Sequence, residues 1–119
     1  MAKYFLLFIF IMPVRPENIQ FYKKGDESFA DVPANGLTFT CRIAGMENNG
    51  DAVILLHGFP ETSHMWYEIM PLIAIEGFKV IAPDQRGYSP GARPRGKKSY
   101  SMEYLVQDVL SIADSFGLV

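Results

Sequence analysis

Cysteine, histidine and tryptophan are scarce in this chain of 119 residues, which has one cysteine, two histidines and one tryptophan. The single cysteine, Cys41, excludes an internal disulfide framework and provides no cysteine cluster for a structural metal. Neither sign of charge dominates, since the net charge is −2 at pH 7, and composition therefore gives no reason to expect nucleic-acid binding. A hydrophobic share of 49% is ordinary for a globular domain.

No apolar run in the sequence reaches the about 20 residues that a membrane-spanning helix needs. The longest run, residues 4–12, follows Lys3 and is closed by Pro13. Its length resembles the apolar part of a secretory signal, although no small-residue cleavage site follows it. A membrane-proximal anchor, a mis-assigned start codon and a segment packed on the domain stay open as alternatives. Membrane association through residues 4–12 and the localisation therefore stay open as well.

Hydrophobic patterning divides the chain into residues 1–34, an apolar segment with a polar lead-in, and residues 35–119, a partial α/β domain. The lead-in is rich in turn formers, and one short edge strand is predicted around residues 19–22. Residues 37–43 alternate, which predicts a half-buried strand; its inward positions are Leu37, Phe39, Cys41 and Ile43. Residues 52–56 are continuously apolar, which is typical of a strand in the middle of a sheet.

Two helices are predicted on either side of a second apolar strand at residues 78–82. Thr62 or Ser63 can cap the first helix, and Pro71 should kink or restart it; its apolar face comprises Met65, Trp66, Ile69, Leu72 and Ile73. Ser101 and Gly117 bound the second helix; its apolar positions are Met102, Leu105, Val106, Val109, Leu110, Ile112, Ala113 and Phe116. A hairpin followed by strand, helix, strand and helix predicts an α/β sheet with crossover helices. We expect this architecture to be incomplete, with a further buried strand after Val119.

The motif His57-Gly58-Phe59-Pro60 lies directly between the strand at residues 52–56 and a capped helix. Ligands of open α/β sheets bind beyond the carboxyl ends of strands, where this loop lies. Gly58 lets the backbone approach a ligand closely. Pro60 fixes the next step of the loop, through a cis bond as one option, so that the Phe59 N–H points in a fixed direction.

Residues 53–117 resemble the start of an α/β-hydrolase. The resemblance rests on the run from Val53 to the His57-Gly58-Phe59-Pro60 motif, on Trp66, and on residues 79–88, which end in Asp84-Gln85-Arg86-Gly87-Tyr88. It implies that the Phe59 N–H donates to an oxyanion and that His57, Gly58 and Pro60 support the loop. It also implies that His57 is not the catalytic histidine, which follows far downstream in the family. Neither a metal nor an organic cofactor is implied.

Two branches of that family fit the motifs. The loop with Glu61 and Trp66, together with the run from Asp84 to Tyr88, looks like epoxide hydrolases and dehalogenases, which use an aspartate nucleophile. Esterase-type members share these loops and use serine. Because residues 89–94 and Thr62-Ser63-His64 depart from the epoxide-hydrolase pattern, we expect a hydrolase of small-molecule esters or similar bonds, with epoxide or dehalogenase chemistry as the alternative.

The residues that would carry out the reaction are expected beyond residue 119, in the form of a serine or aspartate nucleophile with its acid and base. Residues 1–119 alone should therefore be inactive. A short binding protein without catalysis is the other alternative. A half-built sheet argues against it, because it would leave an unpaired edge.

Gly87-Tyr88-Ser89-Pro90-Gly91 matches the letters of a nucleophile elbow, but we reject it. The residue after the nucleophile must donate its N–H to the oxyanion hole, and Pro90 has none. Ser89 is therefore interpreted as a loop serine.

Other candidate residues receive structural interpretations. Asp84 and Arg86 are expected to tie their loop together by an ion pair, with Gly87 in the same structural loop. Trp66 and Tyr67 are candidates for a substrate pocket, although core packing is the stronger interpretation of Trp66. His64 with Glu61 and Glu68 lacks the spacing of a zinc helix, and no metal is expected. The basic residues are interpreted as a solvated loop rather than a phosphate contact; they are Arg86, Arg93, Arg95, Lys97 and Lys98.

Overall fold

The computed structural model describes residues 18–118, so the predictions on residues 4–12 lie outside the described residues. The strands are β1 (Gln20–Lys24), β2 (Glu27–Ala34), β3 (Leu37–Ala44), β4 (Ala52–Ile54) and β5 (Lys79–Pro83). The helices are α1 (Met70–Ala74) and α2 (Met102–Ser115), with 3₁₀ turns at Ser63–Trp66 and Lys97–Tyr100. None of the helices formed by residues 18–118 has the length and apolar character to cross a bilayer.

The strands form one mixed sheet in the order β1-β2-β3-β5-β4. Neighbouring strands run antiparallel except β4 and β5, which are parallel and connected through α1. Asn35 and Gly36 turn the chain between β2 and β3 with φ values of 50° and 76°, as a tight two-residue hairpin requires. The predicted α/β class, with a hairpin followed by β-α-β-α, is confirmed.

Strand β2 was missed in the sequence, where only one short strand was expected before residue 35. Its inward positions Ala30, Val32 and Ala34 are buried, but the alternation is hidden because two of them are alanine. Pro33 on the outward side also favours a turn when the sequence is considered alone. The boundary predicted between residues 34 and 35 consequently falls in the turn between two strands of one sheet.

Each face of the sheet carries its own apolar cluster. On the side of α2, Phe39, Cys41 and Ile43 pack with β2 residues, Ile81 and Ile112, which confirms the inward face predicted for β3. On the other side, Val80 and Ala82 pack against Met70 of α1. Burial of one side chain of this size typically stabilises the fold by about 1.5–3 kcal/mol. Strand β5 contributes to both clusters and is the centre of the core.

The buried face of α2 differs from the predicted one. Ile112 is buried as expected, but Met102, Val106 and Leu110 are exposed, whereas Asp108 and Ser115 are buried. The Ser115 hydroxyl donates to the Pro33 carbonyl oxygen at 2.8 Å, and Asp108 has a buried basic partner described below. The helix carries two apolar stripes, and these polar contacts select which one faces the sheet.

The first predicted helix and the strand before it also required correction. Pro71 starts α1 anew after the 3₁₀ turn, as expected, but Met65, Ile69 and Leu72 are exposed and Met70 is the buried residue. Strand β4 was expected in the middle of the sheet. Within residues 18–118 it is an edge strand that pairs with β5 alone, and its side chains are half-buried.

The Cys41 thiol is expected to be chemically silent in the folded protein. The side chain is fully buried, and burial, with smaller contributions from the negative charges of Asp84 and Asp31, raises the pKa of the thiol far above its usual range. Because the thiolate is the reactive form, we expect an aromatic disulfide reagent to react roughly a hundredfold or more slowly than in unfolded protein. Absorbance of the released thiol, with and without guanidinium, measures this ratio. Equal rates would contradict the prediction, and Cys41→Ser provides the blank.

Candidate active-site loop

The carboxyl ends of β4 and β5 lie side by side and place two loops at one edge of the sheet. The parallel register pairs Ile54 with Ile81, and the Leu55 N–H continues the ladder to the Ile81 carbonyl oxygen at 2.9 Å. The loop that starts at His57 therefore meets the loop that starts at Asp84. This is the position at which α/β sheets bind ligands.

His57 is buried, with 6% of its surface exposed. Its Nε2 accepts the Gln85 N–H at 3.0 Å, and the Gln85 side-chain amide donates to the His57 carbonyl oxygen at 2.5 Å. Because Nε2 is an acceptor, Nδ1 of the neutral ring carries the hydrogen, and it lies 3.0 Å from the Gly58 carbonyl oxygen. The edge-on contact between the His57 and Tyr88 rings, 4.7 Å between centroids, completes the surroundings of this side chain.

The Phe59–Pro60 peptide bond is cis, which is the option considered for Pro60. The Glu61 N–H closes the turn on the Gly58 carbonyl oxygen at 2.9 Å. Among residues 18–118, no backbone hydrogen bond uses the Phe59 N–H, and 90% of the Phe59 surface is exposed. The loop thus presents an unbonded amide donor beside the strand ends.

Gly58 occupies open space rather than a conformation that only glycine adopts. It is not among the residues with positive φ, and an added Cβ would meet nothing within 4 Å. Within residues 18–118, neither the backbone conformation nor a neighbouring atom therefore requires a glycine at this position. Close approach of a ligand to Gly58 stays a prediction.

Asp84 holds the far end of the loop instead of pairing with Arg86. Its Oδ1 accepts the Ser63 N–H at 2.7 Å, and the Ser63 hydroxyl accepts a hydrogen bond from Arg42 Nε at 2.9 Å. The predicted ion pair between Asp84 and Arg86 was wrong. The partner of Asp84 lies 21 positions away in the sequence, at a distance that local spacing does not reveal.

Arg86 forms its ion pair with Asp108 of α2. Its Nε and Nη2 donate to the two carboxylate oxygens at 2.8 Å each, and 5% of each side chain is exposed. Hydrogen bonding to the Asp108 carboxylate raises the pKa of Arg86, against the opposing effect of burial. Asp108 lies four positions before Ile112 and three after Leu105, so its place among core-facing residues was a signal available in the sequence.

Gly87 and Ser89 both contact other residues of the fold. Gly87 has a φ of 93°, and a Cβ there would lie 3.1 Å from the Tyr100 ring. The Ser89 side chain is fully buried, and its hydroxyl donates to the Asp84 carbonyl oxygen while accepting the Thr40 N–H. Both hydrogen-bonding capacities of Ser89 are occupied, which fits its interpretation as a loop serine.

Trp66 and Tyr67 have different surroundings among residues 18–118. Trp66 packs half-buried against the cluster of Met70, Val80 and Ala82. Tyr67 lines a cavity of about 390 Å³ with Arg42 and Met70, and Phe59 is not among the lining residues. A role of Tyr67 in a substrate pocket stays a prediction.

The remaining candidate residues have surface positions. His64 is exposed and stacks on Tyr67, and residues 18–118 contain no cluster of side chains that could hold a metal ion. The basic residues Arg93, Arg95, Lys97 and Lys98 are exposed. Arg86, which was grouped with them, is buried.

Comparison with known proteins adds independent observations. A family model described as alpha/beta hydrolase fold matches residues 51–119. Epoxide hydrolase B of Mycobacterium tuberculosis is 42% identical over 71 residues, which cover 60% of this chain and 20% of that protein. An AB hydrolase superfamily protein of Bacillus subtilis is 42% identical over 86 residues, covering 71% and 29% of the two chains.

The solved structures that resemble this chain include epoxide hydrolases as well. An epoxide hydrolase from an endophytic Streptomyces superposes with a TM-score of 0.71 at 28% identity, over 79% of this chain and 28% of its own. An epoxide hydrolase from Vigna radiata has a TM-score of 0.67 at 30% identity, over 85% and 30% of the two chains. The chain thus spans between a fifth and a third of the length of these relatives.

Proposed function

The chain belongs to the α/β-hydrolase fold family, and from that premise we propose that it supplies the oxyanion-hole loop of a hydrolase. In this proposal the Phe59 N–H is the backbone donor, and His57, Gly58 and Pro60 shape the loop that presents it. Asp84, Arg86 and Gly87 hold the neighbouring loop in place. The nucleophile is a serine or aspartate outside residues 18–118, because the hydroxyl of Ser89 is buried and donates its hydrogen to the Asp84 carbonyl oxygen.

Three features of the Phe59 amide support its proposed role. It lies just beyond the carboxyl end of β4, it has no hydrogen-bond partner among residues 18–118, and the ends of its loop are anchored by Gln85 and Asp84. An amide that is fixed before the reaction stabilises developing negative charge without reorganising. Removal of one such donor typically lowers kcat by about 10²–10³-fold.

The relatives favour an epoxide over an ester as the substrate. The single observation that carries this choice is the 42% identity to epoxide hydrolase B of Mycobacterium tuberculosis. On this finding we prefer the epoxide, which was the alternative in the sequence analysis, to the ester as the proposed substrate. The identity outweighs the departures at residues 62–64 and 89–94, which had favoured the ester.

The epoxide reaction gives the Phe59 N–H a definite step. A carboxylate nucleophile forms a bond to one ring carbon while the bond from that carbon to the ring oxygen breaks, and the oxygen takes up a proton. The product is an ester between enzyme and substrate. Water then attacks the ester carbonyl, and the resulting tetrahedral oxyanion is the charge that Phe59 would stabilise. Collapse of this intermediate releases a diol and restores the carboxylate.

The test compares Phe59→Pro with Phe59→Ala in the full product of the gene. Proline removes the backbone N–H, whereas alanine keeps it and removes only the exposed ring. With styrene oxide as substrate, we expect kcat to fall about 10²–10³-fold in Phe59→Pro and far less in Phe59→Ala. Diol formation is measured by chromatography, and thermal unfolding shows that both variants are folded.

Further outcomes of this experiment separate the alternatives. Faster turnover of 4-nitrophenyl acetate than of styrene oxide would favour an ester as the substrate. Turnover of neither substrate would overturn the hydrolase proposal. Equal activity of Phe59→Pro and Phe59→Ala would exclude the backbone donor. We expect residues 1–119 alone to turn over neither substrate; activity of this chain that is abolished by Ser89→Ala would restore Ser89 as a nucleophile.

A further inference from the structure

Two consecutive residues after β5, Asp84 and Gln85, hold both ends of the loop that carries Phe59. We propose that Gln85 is a positioning residue whose side chain holds the backbone of His57 and, together with its own N–H on the His57 ring, sets the direction of the Phe59 N–H. Asp84 is the second anchor of the loop. The catalytic meaning of this inference rests on the proposed function. The geometry does not, because it concerns hydrogen bonds within the folded chain.

The direction of the Phe59 N–H is fixed by the carbonyl group of Gly58. These two groups belong to one planar trans peptide unit and therefore point in opposite directions. The Gly58 carbonyl oxygen receives the Glu61 N–H at 2.9 Å and lies 3.0 Å from Nδ1 of His57. With two donors on the carbonyl, the amide on the other side of the unit cannot rotate freely.

Gln85 controls one of those two donors, Nδ1 of His57. Its backbone N–H donates to Nε2 of His57, so the ring hydrogen of neutral His57 must be on Nδ1, the atom that faces Gly58. The Gln85 side chain also donates to the His57 carbonyl oxygen. One residue therefore selects the tautomer of the ring and holds the backbone from which the ring extends.

The side chains of Gly58 and Phe59 supply none of this support. Gly58 has no side chain and open space around its Cα, and the side chain of Phe59 extends into solvent. At the far end, the carboxylate of Asp84 receives the Ser63 N–H. The path of the loop between residues 57 and 63 is thus set in part by the neighbouring loop that starts at Asp84.

The experiment replaces the Gln85 side chain and observes the loop by NMR. Gln85→Met keeps a side chain of similar length but cannot donate to the His57 carbonyl oxygen. We expect the order parameter of the Phe59 amide to fall from about 0.85 to below about 0.6. Exchange of the Glu61 amide hydrogen should become roughly five- to tenfold faster. The matched control is Gln107→Met, the same replacement at an exposed position of α2, which should change neither quantity.

A general loss of structure would alter the core amides as well, so the exchange rates of Phe39 and Ile81 serve as internal references. An unchanged Phe59 order parameter in Gln85→Met would overturn the inference. If this variant does not fold, the ring nitrogen shifts of His57 in the original protein decide. Mainly Nδ1-protonated His57 supports the inference, and comparable amounts of the two neutral tautomers would overturn it.

The inference and the proposed function fail in different ways. Loss of order at Phe59 in Gln85→Met, combined with equal activity of Phe59→Pro and Phe59→Ala, would leave the positioning role standing and exclude the oxyanion role. An unchanged order parameter in Gln85→Met, combined with a strong loss of activity in Phe59→Pro, would exclude the positioning role and support the oxyanion role.

Discussion

Replacing Asp108 by leucine is expected to lower the free energy of unfolding by about 3–5 kcal/mol, because it leaves a buried guanidinium without its partner. Arg86 and Asp108 each have 5% of their side chain exposed, and Asp108 also receives the Asn35 side-chain amide at 2.8 Å. A domain of this size is typically stable by about 5–15 kcal/mol. The single substitution should therefore remove a large share of the free energy of unfolding.

Denaturant unfolding of three variants separates the possible causes. The double variant Arg86→Met with Asp108→Leu should regain most of the loss, since an apolar pair needs no charge compensation. Asp114→Leu changes an exposed acid on the same helix and should shift stability by no more than about 0.5 kcal/mol. A loss below about 1 kcal/mol in Asp108→Leu would contradict a stabilising role for the pair, given the magnitude expected for burial of an unpaired charge.

The pH dependence of this pair follows from the direction of the Arg86 shift. The hydrogen bond to Asp108 raises the pKa of Arg86 in the folded state. Its contribution to stability is therefore fully present below the unfolded pKa and is lost only as pH rises through the folded pKa. Because both values lie far above neutrality, the contribution of Arg86 is constant across the neutral range.

Substitution of Gly45 by alanine is expected to cost about 2–5 kcal/mol, from a left-handed backbone and from a steric clash together. Gly45 has a φ of 68°, and an added Cβ would lie 2.5 Å from the Phe78 carbonyl oxygen and 2.9 Å from the Ala74 Cβ. The side chain of Asn48 hydrogen-bonds both the Ala74 and Phe78 carbonyl oxygens, so the clash falls where α1 is joined to β5.

Gly25→Ala is the matched control for this prediction. Gly25 has a similar φ of 63°, but nothing lies within 4 Å of an added Cβ. Its substitution should therefore cost only the about 1–2 kcal/mol of the left-handed conformation. Guanidinium unfolding of the two variants gives the steric part by difference. Equal losses would show that the surroundings of Gly45 relax at no cost.

Structure that depends on residues close together in the sequence could be predicted from the sequence. The alternation from Leu37 to Ile43 gave β3, and Pro71 restarted a helix as its missing N–H requires. Contacts between residues that are distant in the sequence could not be predicted. The choice between two apolar stripes on α2 depends on Arg86 and Pro33, which are distant in sequence from the helix positions they contact.

The candidate site shows the same division. The composition of the loop and its position after a strand were visible in the sequence, because strand, glycine and proline follow one another directly. The contacts that position it were not visible. Gln85 lies 28 positions from His57, and in the sequence it was only a polar residue between Asp84 and Arg86. Both charged neighbours had drawn the interpretation toward an ion pair that does not form.

The exposed ring of Phe59 and its backbone N–H can vary independently, and this has an evolutionary consequence. Its ring is exposed, while the group proposed to act belongs to the backbone and is common to every residue except proline. Under the proposed function, mutation at position 59 would therefore change the side chain that a substrate meets without removing the donor. Natural variation and directed evolution would then explore substrate preference at this codon, while the hydrogen bonds from Asp84 and Gln85 to the loop stay the same.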